Sequence, residues 1–202
     1  MTTDASSPVA TLLLATMVVV SLAGLMLAPK WVVRSLLRPY WLFRRHEYLT
    51  LLTSGFFHAS LAHLFFNAFT FWAFGFQLEG AIGSTRFLWL YFLGLLASDL
   101  GTYFAHRHDP GYQSLGASGA ILAVMFASII YFPKSSIFIL PIPIPIPAPL
   151  FALGFLVYTY LAAHKPRAGV NHDAHLSGAL SGIAFVAVTD PQAIRQALHA
   201  FI

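Results

Sequence analysis

Leu115-Gly116-Ala117-Ser118-Gly119-Ala120 sets one serine among small residues, directly before the apolar segment Ile121 to Tyr131. Glycine lets other backbones approach, and the first turn of a helix leaves amides without intrahelical acceptors. A serine placed there can attack a carbonyl while free amides hold the developing oxyanion. That chemistry needs a base and further donors from elsewhere in the chain. His175 is the candidate base. In His175-Leu-Ser-Gly178-Ala-Leu-Ser-Gly182 the imidazole and both glycines share one helical face, and Gly178-xxx-Gly182 is a close-packing pattern. His63 and Asn67, spaced i, i+4, also share a face, and both can donate hydrogen bonds. His58 falls about 140° round the same helix from His63, nearer the membrane surface. Each feature alone has a plainer reading, the His/Asn pair as interhelical glue and the glycines as packing. Taken together they supply a nucleophile, a base and oxyanion donors.

An acidic third member is not evident among the seven acids. Asp173 precedes His175 by two residues and so points to another helix face. Asp99 sits in an apolar run, where an arginine or a backbone group is its expected partner. A serine–histidine dyad is therefore expected. No metal is expected, because His106-x-His108 and His172-x-x-His175 lack the carboxylates or further histidines of a buried site.

The elements that must position these residues follow from composition. Of 202 residues, 58% are hydrophobic and 9% charged, far below the charge of about 25% usual in soluble domains. Several apolar runs approach the ~20 residues that cross a bilayer as a helix. The expectation is an all-α polytopic membrane protein, a single domain over 1–202 with a polar N-terminus at 1–8 and a short amphipathic tail at 190–202. Six spans are read: Val9–Ala28, a second from Tyr48 or Phe57 to Leu78, Phe87–Phe104, a short fourth opening at Ser118, Leu150–Ala163 and Asp173–Val188. The first lacks a basic leader and reads as a retained helix. Lys30 to Glu47, basic and aromatic, reads as an interfacial loop, and Glu79 to Arg86 as a turn-back loop. Pro141 to Pro149, alternating proline with isoleucine or alanine, reads as a polyproline connector, and Lys165 to Gly169 as a loop. The net charge of +4 is spread over loops, which argues against nucleic acid as a partner. The absence of cysteine removes disulfides and thiolate chemistry.

The combination resembles the rhomboid family of intramembrane serine proteases. The resemblance runs from about Leu52 to Ala187 and rests on His58-Ala-Ser-Leu-Ala-His63-Leu-Phe-Phe-Asn67, Gly116-Ala-Ser118-Gly119 and Ala174-His175-Leu-Ser-Gly178-Ala-Leu-Ser-Gly182. It implies a bacterial-type six-span core with Ser118 as nucleophile and His175 as general base. It implies an oxyanion hole of His63, Asn67 and the Ser118 amide, with structural support from Gly116, Gly119, Gly178 and Gly182. His58 takes a secondary role. The implied substrates are single-span membrane proteins within the lipid bilayer, without a cofactor, and the implied location is the bacterial inner membrane.

Two family features are missing. Leu122 stands where many members carry a tyrosine packed on the histidine, and replacing it by tyrosine is expected to change little or to give a modest gain. A Trp-Arg pair is absent from the first loop, where Trp41-Leu42 and Arg44-Arg45 come nearest. The resemblance also puts the N-terminus in the cytoplasm and the site outside. That places Lys30, Arg34, Arg38, Arg44, Arg45, Arg107, Lys165 and Arg167 outside, and only Arg86, Lys134 and Arg195 inside. The positive-inside rule favours the reverse. The rival function is a proteolytically inactive rhomboid-like protein that binds membrane helices.

Overall fold

The computed structural model describes residues 7–139, 142–163 and 170–200. The chain is mostly helical, and helices stand at all six expected spans: α1 (Pro8–Met26), α5 (Leu61–Ile82), α6 (Ser84–His106), α7 (Ser118–Tyr131), α8 (Ala148–Ala163) and α9 (His172–Thr189). Two of them, α1 and α6, are long and apolar enough to cross a membrane alone. A third crossing arises if Thr50–Phe56 and α5, bent by 90° at their junction, form one broken span. Between α1 and α5 lie α2 (Pro29–Arg34), α3 (Pro39–Leu42), α4 (Thr50–Thr53) and the 3-10 turn Ser54–Phe56. The basic segment is thus a set of short helices. It is pinned to the loop before α7 by paired backbone bonds between Leu37 and Ser114, both 3.0 Å.

Three expectations are corrected. The supposed loop Glu79–Arg86 is helix on both sides of Gly83, whose φ of 82° lets α5 turn into α6 within one residue. Glu79, in the last turn of α5, is 2% exposed. Its carboxylate accepts from Val9 N at 3.1 Å, Ala10 N at 2.6 Å and Ser84 Oγ at 2.6 Å. It therefore satisfies the unpaired amides that open α1, where negative charge is also favoured by the helix dipole. Of the proline-rich stretch, Pro141 lies outside the described residues, Ala148 and Pro149 open α8, and the rest is a strand, β2 (Ile142–Pro147), paired antiparallel with β1 (Ser136–Ile139). Ala148 N donates to Ser135 O at 3.0 Å, so the even-numbered residues of β2 face β1 with their amides. The prolines take the alternate positions and cost the ladder nothing. The third concerns His58, which precedes the first residue of α5 and so lies on no helical face.

The tail holds α10 (Pro191–His199), where Asp190 Oδ1 accepts from Ala193 N. The expected loop Lys165–Gly169 and most of the polar N-terminus lie outside the described residues.

Helix α7 is buried around its circumference, from Gly119 to Ile129. Small residues let its neighbours close on it. A Cβ on Gly94 of α6 would lie 2.5 Å from the Ala123 methyl, and one on Gly119 would overlap the Ser98 side chain. On the α9 side, a Cβ on Gly178 would strike the Gly119 carbonyl and one on Gly182 the Ala123 carbonyl. The GxxxG face of α9 therefore lies directly against the helix that begins with the serine.

Candidate active site

Ser118 is the first residue of α7, and its Oγ lies 2.9 Å from Nε2 of His175, one turn into α9. That is hydrogen-bond distance between two helices 57 residues apart in the chain. Gly116, with φ at 125°, turns the chain into α7. A Cβ there would fall 2.5 Å from the His63 ring and 3.6 Å from Asn67 Nδ2, so both α5 side chains crowd the turn that presents the serine. His63, Asn67, Ser118 and His175 line one cavity of about 690 Å³, together with Tyr112 and Asn171.

His58 is absent from that wall. It is fully buried, with Nδ1 2.8 Å from Ser21 Oγ and Nε2 2.7 Å from Asn67 Nδ2. An amide nitrogen only donates, so Nε2 must accept and the imidazole proton sits on Nδ1. Ser21 accepts it and donates its own proton to Phe56 O at 2.8 Å. The chain of bonds is internally consistent. It fixes one Asn67 N–H and leaves the amide's other hydrogen for the cavity.

His175 has no carboxylate partner among the described residues. Its ring is faced by Phe155 of α8, with centroids 6.4 Å apart, and by His172 at 6.1 Å. Leu122, at the position of the family tyrosine, is 7% exposed and packs in a cluster with Met125, Phe126 and Ala179. The expectation that Asp173 points away from His175 agrees with its contact: it bonds His106 of α6 at 3.0 Å. Asp99 finds Ser54, whose Oγ donates at 3.4 Å, in place of the expected arginine or backbone group.

Sequence reasoning missed two further residues of the cavity wall, Tyr112 and Asn171. Tyr112 stacks on His106 with centroids 3.5 Å apart and planes within 6°. Burial first, then the Asp173 and Asp109 carboxylates, raise its phenol well above the usual tyrosine range, so it stays a neutral hydroxyl. Asn171 caps α9 through Ala174 N and also donates to Thr102 of α6 at 2.8 Å. An N-cap asparagine is readable from sequence; its second bond, across 69 residues, is not.

A small-residue face clasping a buried helix, with serine and histidine meeting at its mouth, defines a class of helical membrane proteins. Comparison with known families gives it a name. The rhomboid domain matches residues 45–191, and the chain belongs to the rhomboid family. It is 31% identical over 146 residues to the human presenilin-associated rhomboid-like protein, mitochondrial, a match covering 67% of this chain and 36% of that protein. It is 36% identical over 78 residues to the putative rhomboid protease YdcA of Bacillus subtilis, covering 39% of this chain and 38% of that protein. The rhomboid protease GluP of the same bacterium is 40% identical over 81 residues, 40% of this chain and 15% of that protein. The match thus spans well under two thirds of these relatives' own length. The longer match is to a mitochondrial protein, so the relatives support a membrane location and not the bacterial inner membrane in particular.

Proposed function

We propose that this protein is an intramembrane serine endopeptidase that cuts transmembrane segments of single-span membrane proteins, with the whole chain forming one rhomboid-like bundle of six spans. The observation that carries the reading is the 2.9 Å contact between Ser118 Oγ and His175 Nε2. Nε2 takes the hydroxyl proton as Oγ attacks the scissile carbonyl. The oxyanion then accepts from the Ser118 amide and from His63 and Asn67, donors fixed before the reaction begins. Collapse of the tetrahedral intermediate passes the proton from His175 to the leaving amine, and water releases the acyl group by the same steps. No carboxylate is needed in this scheme. The imidazolium forms transiently, and packing by Phe155 and His172 orients the ring.

Helix α7 supports a recessed site. Its 14 residues rise about 21 Å, less than the roughly 30 Å of bilayer hydrocarbon, so its N-terminus need not reach the surface. The cavity over Ser118 is walled partly by loop residues, among them Tyr112 and Ser114, and gives water a route to a depth where lipid excludes it. Family resemblance supports substrates whose helices unwind at small residues.

The test is cleavage of a model single-span substrate in liposomes. Ser118→Ala should insert normally and lose both cleavage and labelling by a serine-directed fluorophosphonate. Cleavage equal to the parent's would remove the dyad and leave the rival, a rhomboid-like protein that binds membrane helices without cutting them.

A further inference from the structure

Asp99 is an acid that the proposed reaction does not use. It lies within α6, 7% exposed, and a carboxylate among apolar helices is costly unless something holds it. The Ser54 hydroxyl donates to Oδ2 at 3.4 Å. Ser54 opens the 3-10 turn, and its carbonyl accepts the Gly116 amide at 2.9 Å. Gly116 is the residue of positive φ two positions before Ser118. An unbroken path therefore runs from the Asp99 carboxylate through one serine to the turn that aims the nucleophile.

The turn needs an external hold. Helix α4 has four residues and the 3-10 turn three, too short to be stable on their own hydrogen bonds. Helix α6 grips the turn at two heights on one face. Leu95 packs over Gly55, where a Cβ would fall 2.6 Å from Leu95 Cδ1. Asp99, four residues on, takes the neighbouring Ser54. Asp99, Ser54, Gly116 and Ser118 also line one small chamber.

We propose that Asp99 is a positioning residue: its carboxylate fixes the Ser54 hydroxyl, and through the Ser54 carbonyl it sets the Gly116 turn. Its kinetic consequence rests on the reading of Ser118 as nucleophile; its structural consequence does not. Both are measured on the full chain in bilayers, as hydrogen exchange at the Gly116 amide and as kcat and KM for a single-span substrate.

Asp99→Ala and Ser54→Ala should each speed Gly116 exchange and lower kcat about tenfold with KM unchanged, since each loosens one hydrogen-bonded path. The double variant should be no worse than either single, because both break the same path. Asp99→Asn, which keeps an acceptor oxygen, should restore most of the loss. Unchanged Gly116 exchange in Ser54→Ala overturns the proposal, as do additive effects in the double variant. Where Asp99→Ala fails to fold, Ser54→Ala and Asp99→Asn decide. If Gly116 exchange responds as stated while Ser118→Ala still cleaves, the turn is positioned by Asp99 and the nucleophile reading alone falls.

Discussion

Asn67 has one amide hydrogen committed to His58 and the other turned toward the cavity, and that division depends on an imidazole carrying its proton on Nδ1. Removing the imidazole frees Asn67 to rotate and takes away the donor to the Ser21 oxygen, which keeps its own bond to Phe56 O. His58→Ala should therefore lose about 1–3 kcal/mol of stability and lower kcat, with little further effect when combined with Asn67→Ala. Thermal unfolding and a double-variant cycle on cleavage check both parts. Leu122 illustrates a different limit. From sequence, tyrosine there looked harmless. Leu122 is buried in a cluster with Met125, Phe126 and Ala179, where a larger ring must displace its neighbours. Leu122→Tyr should destabilise by about 1–3 kcal/mol through overpacking, read as a lowered Tm, with cleavage falling in parallel. A gain in activity at unchanged Tm would mean that His175 accepts a second aromatic neighbour.

At the scale of elements, the bundle depends on how closely α9 approaches α7. Gly178→Val forces a branched side chain against the Gly119 carbonyl and moves His175 off Ser118. A displacement of about 1 Å should cost on the order of 100-fold in kcat, while substrate binding changes less. Glu79 matters for another reason, since its carboxylate serves the open amides of α1. Glu79→Ala should lower stability by about 2–4 kcal/mol, with early exchange confined to the first turns of α1. The helices that bring Ser118 and His175 together were legible because glycine spacing and polar residues in apolar runs leave local marks. Gly178 and His175 carry their face in a single stretch of sequence. Strand pairing carries none: the alternating prolines suggested polyproline because the partner, Ser136–Ile139, has no strong pattern of its own. The Ser21–His58–Asn67 chain was hidden for a related reason, as Ser21 sits in an apolar helix with nothing nearby to mark it.

At the scale of the whole molecule, the segment that carries Lys30, Arg34, Arg38, Arg44 and Arg45 is joined by the Leu37–Ser114 backbone bonds to the loop before Ser118, which carries Arg107. Several of these charges are docked. Arg38 forms a two-bond pair with Glu47 at 2.6 and 3.1 Å, Arg44 lies 4.0 Å over the Tyr40 ring, and Arg45 lies 3.8 Å over Trp41. Because these arginines are committed to a carboxylate or a ring, we give them less weight in the positive-inside count than free loop charges. We expect the site to face away from the cytoplasm. The chain has no cysteine, so Asp109→Cys gives a single reporter, which an impermeant maleimide should label in intact cells; labelling only after lysis would invert the orientation. The hairpin between α7 and α8 bears on how copies of the chain meet. Pro145 and Pro147 occupy the outward-facing positions of β2, so its free edge presents carbonyl acceptors and lacks the amide donors that a joining strand must pair with. A hairpin rich in isoleucine invites edge-to-edge pairing, and on its β2 side the prolines remove the donors that such pairing needs.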